Sequence, residues 1–440
     1  MYKLVSVSNK HNIEKLCSFF IGNGDKILTT GGTYNYLLEK LPQHKDSIVK
    51  VSDITDYPEI LNGRVKTLHP KIFGGLLCKY DNEEHQAEVD KHSIPSINGV
   101  VVNLYPFSET VKKYQANKDK KQEQHSDIIE NIDIGGVSLI RAAAKNYEHI
   151  LTITDPHDYD YIMENEININ TKKIFASKAF NHISKYDTNI SDYFNEITKT
   201  SGNVNRSYDI SMSLKYGCNP HQKFGGVFTI NNKNPFQVLN GKCGYINMMD
   251  AIHSWQLVKE LSECLNIPSA ASFKHTSPAG VGTSKPLSPI LKKIYDVENE
   301  DLSPLATAFI RARNSDPMSS FGDFIALSET VDVSTAKLIK RFISDGVVAP
   351  DYTEEALEIL KSKRGGNYLI LKVDKYYENT ETIECKEIYG INLVQSVNNY
   401  KMDRNNIGNI ATNNKDLTED DINNLVIANI SLKYAQSNNE

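Results

Sequence analysis

The chain has 440 residues, 40% of them hydrophobic and 24% charged, a globular balance with length for roughly two to four domains. A net charge of −6 and a pI near 6.1 argue against a dedicated nucleic-acid binder, while leaving room for a local basic pocket. There is no apolar run near the roughly 20 residues of a membrane helix, no signal-peptide pattern at the start, and no Cys-x-x-Cys among six scattered cysteines, so a soluble cytosolic protein without membrane, disulfide frame or structural zinc is expected.

Residues 3–8 read as a strand, and Ile13, Leu16, Cys17 and Phe20 then recur at helical spacing. Residues 26–30 form a second strand, followed by Gly31-Gly32-Thr33 and another helical stretch. Strands at 99–104 and 150–154 flank a helix at 136–146, so the first half reads as a mostly parallel sheet covered by helices. Residues 112–127 are highly charged without periodicity and predict a solvated loop. Small polar residues from Thr200 to Tyr208 read as a linker, giving domains at 1–200 and 213–440 around a linker at 201–212. A second α/β alternation follows, with strands at 270–273, 323–327 and 368–373 and helices at 305–313 and 335–343. Finally, Thr418 is a good N-cap for a helix whose Ile422, Leu425, Val426, Ile427, Ile430 and Leu432 predict burial on more than one side.

Several segments of the first domain carry chemistry. Ser6-Val7-Ser8-Asn9-Lys10 ends the first strand, and Thr30-Gly31-Gly32-Thr33 ends the second. Strand ends leading into helix N-termini are where open α/β sheets hold phosphate, through close backbone N–H groups, hydroxyls and a lysine. Either segment alone suits a plain strand-to-helix turn equally well. Gly63-Arg64-Val65-Lys66-Thr67-Leu68-His69-Pro70 places two cations and a hydroxyl within a turn-rich segment, a surface basic turn being the alternative. In Asn103-Leu104-Tyr105-Pro106-Phe107, Tyr105 either covers a ligand or packs in the core. Asp133, before Ile134-Gly135-Gly136, is placed to cap the next helix, and Lys145 falls near that helix's other end.

In this order, the segments resemble the IMP cyclohydrolase domain of the bifunctional AICAR transformylase/IMP cyclohydrolase family of purine biosynthesis. The resemblance implies a methylglyoxal-synthase-like fold and closure of formyl-AICAR to IMP with loss of water. By matching position it implies a catalytic cluster of Lys66, Tyr105, Asp133 and Lys145. It implies nucleotide contacts at Ser6, Ser8, Lys10, Thr30, Gly31, Gly32, Thr33, Arg64, Thr67, Asn103, Gly135 and Gly136. Ring closure needs a nitrogen to attack a formyl carbon, so negative charge grows on the formyl oxygen, where a lysine and N–H donors stabilise it. An Asp/Lys pair moves the proton without a metal, and none is expected. Thr30 stands where serine is usual, and Phe73 and Tyr147 where histidine is common.

The second domain resembles the family's transformylase half. Lys215-Tyr216-Gly217-Cys218-Asn219-Pro220-His221-Gln222 departs from it at Lys215, where arginine is usual and a two-pronged phosphate contact is lost. Asn247 is expected at a ligand and Trp255 in the core. Lys274 and His275 end a strand, and as adjacent cations they favour a neutral imidazole base. The resemblance implies a cytidine-deaminase-like α/β fold without a zinc site, and formyl transfer from 10-formyltetrahydrofolate to AICAR by Lys274, His275 and Asn438. Contacts to nucleotide and folate are implied at Lys215, Tyr216, Asn247, Phe321, Gly322 and Asp345, and Asp351 replaces a frequent glycine. Further family segments do not occur before Glu440, so this domain is expected to be incomplete and to show little or no formyl transfer. A homodimer is also implied. The competing readings are a nucleotide-binding regulatory or scaffold protein without catalysis, and a methylglyoxal-synthase-like lyase.

Overall fold

The computed structural model describes residues 1–115, 121–200, 202–230, 233–407 and 410–435. The chain divides into two compact units, Met1–Ser207 and Tyr208–Glu440.

In unit 1 the strands are β1 (Tyr2–Val7), β2 (Lys26–Thr29), β3 (Ile48–Lys50), β4 (Ile97–Asn103) and β5 (Leu151–Ile153). Around them lie α1 (Ile13–Gly22), α2 (Gly31–Lys40), α3 (Val51–Thr55), α4 (Pro70–Leu77), α5 (Glu83–Lys91), α6 (Phe107–Gln115), α7 (Lys121–Glu130), α8 (Gly135–Lys145), α9 (Tyr159–Glu164) and α10 (Ile169–Thr198). The sheet order is β3-β2-β1-β4-β5 and every pairing is parallel. Successive strand residues point to opposite faces, so Leu4, Leu28, Val100 and Val102 enter one core while Val5, Ile27 and Val101 enter the other. Strand order reverses between β1 and β4, which opens a crevice at their carboxyl ends.

Residues 112–127, expected as a solvated loop, instead lie on α6 and α7 where they are described. Phe107 and Ile128 are buried, Val111, Tyr114 and Ile129 pack against the same core, and the Tyr114 hydroxyl donates to Asp127. A few apolar anchors flanking the charged stretch thus override its lack of periodicity.

Unit 2 begins inside the stretch expected as linker, with β6 (Asp209–Ser213) paired antiparallel to β7 (Gly226–Thr229). Then follow β8 (Phe236–Asn240), α11 (Tyr245–Leu265), β9 (Ser269–Lys274), β10 (Ser277–Thr283), α12 (Pro289–Ile294), α13 (Pro304–Ser315), β11 (Asp323–Leu327), α14 (Val333–Arg341), β12 (Ser344–Ala349), α15 (Glu354–Lys361), β13 (Leu369–Val373), β14 (Ile383–Ile388), β15 (Ile391–Ser396) and α16 (Glu419–Lys433). The main sheet is mixed, in the order β10-β9-β11-β12-β13-β8, with parallel pairs only at β11–β12 and β12–β13. Its two faces are again buried, Ala270, Ile325, Val347 and Ile370 on one side and Ala271, Ala326, Val348 and Leu371 on the other.

Thr418 caps α16 in a reciprocal capping box with Asp421. The expectation of burial on several sides is corrected: Val426 and Ile430 are buried while Leu425 and Leu432 are exposed, so α16 packs along one stripe. Among the described residues no helix is long and apolar enough to cross a membrane.

Candidate active sites

The carboxyl ends of β1, β2 and β4 gather the polar groups of unit 1. Asn103 bridges the β1/β4 crevice: its Oδ1 accepts from the backbone N–H of Ser8 at 2.6 Å and of Asn9 at 2.8 Å, and its Nδ2 donates to the Asn9 carbonyl. Ser6 Oγ lies 3.3 Å from Thr30 Oγ1, joining the ends of β1 and β2. Lys10 Nζ donates to the Val7 carbonyl and, at 2.9 Å, to Thr33 Oγ1. Burial and the charge of nearby Lys66 hold the Lys10 ammonium below its usual value. Thr30 is the N-cap of α2 and makes no side-chain cap bond, so the first turn of that helix keeps N–H groups to offer. A Cβ on Gly32 would meet nothing within 4 Å.

At Gly31 a group that the sequence did not single out intervenes. The Glu59 carboxylate accepts the Gly31 N–H at 2.9 Å, at the first residue of α2. Gly63 turns at φ 84°, and a Cβ there would strike Lys66 Cε at 2.8 Å, so glycine lets the Lys66 stem fold over the chain beside Glu59. Arg64 makes an exposed ion pair with Glu130 at 2.9 Å.

The second cluster forms at the N-terminus of α8. Asp133 Oδ1 accepts the Gly136 N–H at 2.7 Å, so the capping role open from sequence is realised. Its own backbone N–H donates to the Tyr186 hydroxyl at 2.8 Å, and that hydroxyl donates to the Asn131 carbonyl. Burial raises the Asp133 carboxyl above its ordinary value, against the pull of the Gly136 and Tyr105 N–H groups and of Lys66. Buried Thr67 presents its hydroxyl to Gly135, and Tyr105 is 41% exposed beside the cluster. Lys66, Tyr105 and Asp133 are therefore brought together, with Thr67, Gly135 and Gly136 around them. Lys145 is not: it ends α8, ten residues and roughly 15 Å of helix from Gly135, and is exposed. An α-helix places the two ends of this motif at opposite ends of one rod.

In unit 2, Lys274 ends β9 and its ammonium donates to the Phe321 carbonyl, in the loop where Gly322 takes φ 75°. His275 and Thr276 form the two-residue turn into β10. Asp345, the second residue of β12, pairs with Arg364 at 3.2 Å. Buried Asp250 on α11 accepts the Thr276 N–H at 2.7 Å and feels the charges of His275 and Asp345. Asn247 sits three residues before Asp250, hence on the same face of α11. The Lys215 N–H donates to the Cys243 carbonyl at the entrance to that helix, bringing Lys215 and Tyr216 to its N-terminal end. Lys215 Nζ lies 5.4 Å from the Tyr216 ring centre.

Asn438 lies outside the described residues. Lys433 and Tyr434 of its motif both reach Glu260 Oε2, at 2.7 Å each, and Trp255 is buried as expected. Beneath β9 and β11 a charged network is sealed in. Asp323, fully buried, accepts from Ser272 Oγ at 2.6 Å and lies 3.9 Å from Arg313 Nε. Lys363 donates to Ser344 Oγ at 2.8 Å, which pairs with the Tyr368 hydroxyl at 2.7 Å. Burial pushes the Asp323 carboxyl up to about 6 and the Lys363 ammonium down to about 8.

Glu59 and Tyr186 were not singled out from sequence, and neither were the buried partnerships of Asp250, Glu260 and Asp323, because all of these meet their partners only through tertiary packing.

Comparison with known proteins identifies the family. The MGS-like domain family matches residues 12–138, and the family described as "AICARFT/IMPCHase bienzyme" matches residues 143–439. A bifunctional purine biosynthesis protein PurH of Thermoanaerobacter sp. (strain X514) is 39% identical, over 99% of this chain and 80% of its own length. Proteins of the same name from Halalkalibacterium halodurans and Oceanobacillus iheyensis are 37% and 35% identical, covering 90% and 99% of this chain and 73% and 80% of their own lengths. The chain belongs to the AICARFT/IMPCHase bienzyme family.

Proposed function

We propose that unit 1 closes formyl-AICAR to IMP between α2 and α8, and that unit 2 transfers the formyl group to AICAR at the β9–β10 turn. Family membership makes the chain a bifunctional enzyme of the last two steps of purine biosynthesis, AICAR formyltransferase and IMP cyclohydrolase. It does not favour a scaffold without catalysis or a methylglyoxal-synthase-like lyase.

One observation carries the assignment for ring closure. The Asp133 carboxylate is half-buried at a helix N-terminus, made more basic by that partial burial, and lies within the field of Lys66. In our reading the carboxamide nitrogen of formyl-AICAR attacks the formyl carbon and passes its proton to Asp133. Lys66 and the neighbouring N–H groups meet the charge growing on the formyl oxygen, which leaves as water after taking up protons. The phosphate lies at Ser6, Ser8, Lys10 and the first turn of α2. In unit 2, His275 takes the proton from the AICAR amine as the new C–N bond forms. The formyl–nitrogen bond of 10-formyltetrahydrofolate breaks, and the released folate nitrogen regains a proton. Lys274 stabilises the charge between. We assign this reduced folate as the formyl donor, the cytosol as the location and a homodimer as the working form. The family resemblance supports all three, and the absence of a long apolar helix among the described residues is compatible with the cytosol.

Incubating the chain with formyl-AICAR and following IMP tests the first assignment. Lys66→Ala is expected to lower kcat about 10²- to 10³-fold, the cost of removing one donor to a developing oxyanion. Folded wild-type protein that makes no IMP would overturn it.

A further inference from the structure

We propose that Asp250 is a positioning residue for formyl transfer, its carboxylate holding the two-residue turn that presents His275. The inference rests on assigning formyl transfer to unit 2.

The strands β9 and β10 pair with Lys274 opposite Ser277, so His275 and Thr276 alone make the connection. A two-residue turn of this kind needs positive φ at both positions and normally uses Asn-Gly, where no Cβ clash arises or a short polar side chain tolerates it. Here φ is 54° at His275 and 63° at Thr276. A β-branched residue in the left-handed region is unfavourable, and such a conformation persists only where its surroundings over-determine it.

Asp250 supplies that determination. Its Oδ1 accepts the Thr276 N–H at 2.7 Å, and the two residues are 5% and 8% exposed. The carboxylate cannot drift, because α11 is pinned to the sheet on either side of it by Met248, Ala251 and Trp255, which share a core with Ala271 and Phe273 of β9. The imidazole direction follows from the backbone of the turn. If the turn relaxed toward right-handed φ, the imidazole would swing away from the Lys274–Phe321 contact, and displacements of about 1 Å cost about 10²-fold in rate. Asp250 thus acts through the main chain, without touching the reacting atoms.

Two substitutions separate the hydrogen bond from the charge. Asp250→Ala removes the acceptor, and Asp250→Asn keeps an oxygen acceptor without the charge. With AICAR and 10-formyltetrahydrofolate, D250A is expected to lose about 10- to 100-fold in kcat with the KM for AICAR changed by less than about twofold, while D250N stays within about threefold of wild type. IMP formation from formyl-AICAR by unit 1 should not change in either. Hydrogen exchange of the peptide containing Thr276 should accelerate in D250A and not in D250N. Should D250A fail to fold, D250E, which misplaces the carboxylate by one methylene, is expected to show the same losses. Wild-type kcat in D250A, or D250N falling as far as D250A, overturns the positioning role. Wild-type protein that transfers no formyl group, with Thr276 still deprotected only in D250A, overturns the transfer assignment and leaves the turn's dependence on Asp250 standing.

Discussion

In unit 1 five parallel strands deliver their carboxyl ends to one edge, and helix N-termini, hydroxyls and the Asn103 amide fill the crevice there. In unit 2 the site strand β9 turns straight back into β10 through two residues at positive φ, and charged Asp323, Arg313 and Lys363 are sealed beneath it. Repeated strand–helix units place ligand-binding groups by topology alone. A single hairpin turn needs side chains from elsewhere to hold it, and those side chains carry buried charge. Unit 2 should therefore be more sensitive to the loss of one polar group than unit 1.

The largest effect expected from this contrast is in Asp323→Ala, which leaves Arg313 and Lys363 as buried cations without their carboxylate. Breaking a buried pair in this way costs about 3–5 kcal/mol. The only tryptophan in the sequence, Trp255, is buried in unit 2, so its fluorescence in urea reports that unit alone. A loss below about 1 kcal/mol would erase the contrast.

Next comes Gly136→Ala in unit 1, the counterpart at a helix N-terminus. An added Cβ would lie 2.7 Å from Asp133 Oδ2 and 2.8 Å from Leu104 Cδ2. Overpacking of this kind costs about 1–3 kcal/mol, and here it also pushes the carboxylate from its seat. Thermal unfolding should register the destabilisation and IMP formation should fall, with formyl transfer unchanged. If only stability changes, the placement of Asp133 tolerates more slack than the parallel-sheet argument allows.

The smallest is a pH effect read in unit 2. Burial raises the carboxyls of Asp250 and Asp323 to about 6 from 3.8. A native state that holds protons more tightly than the unfolded chain gains stability fully below pH 3.8 and loses it as pH rises through 6. Between pH 4 and 7 the Trp255-monitored stability should fall on the order of 1 kcal/mol per carboxylate after screening, and Asp323→Asn should flatten part of that slope. A slope unchanged in D323N would place the titration elsewhere.

β1, β2, β4 and β5 of unit 1 were legible as short apolar runs alternating with helical spacing, whereas the three-residue β3 was not. Gly31-Gly32 and Asp133-Ile134-Gly135-Gly136 advertised helix starts, and both helices begin there. The β9–β10 hairpin was not legible, since His275-Thr276 lacks the Asn or Gly that marks such turns. Asp250, Glu59 and Tyr186 contact their partners across 26, 28 and 53 residues of chain, beyond any local pattern. Lys145 shows the converse: the motif match groups it with Asp133, and one helix holds the two apart within the chain.

The carboxylate of Glu59 on the Gly31 N–H gives the first turn of α2 a resident counter-ion. An anion arriving at that turn enters by exchange, one negative group for another, and its apparent affinity is a difference between two occupants. Since Glu59 and Lys66 both flank Gly63, the exchange also bears on the segment that carries Lys66.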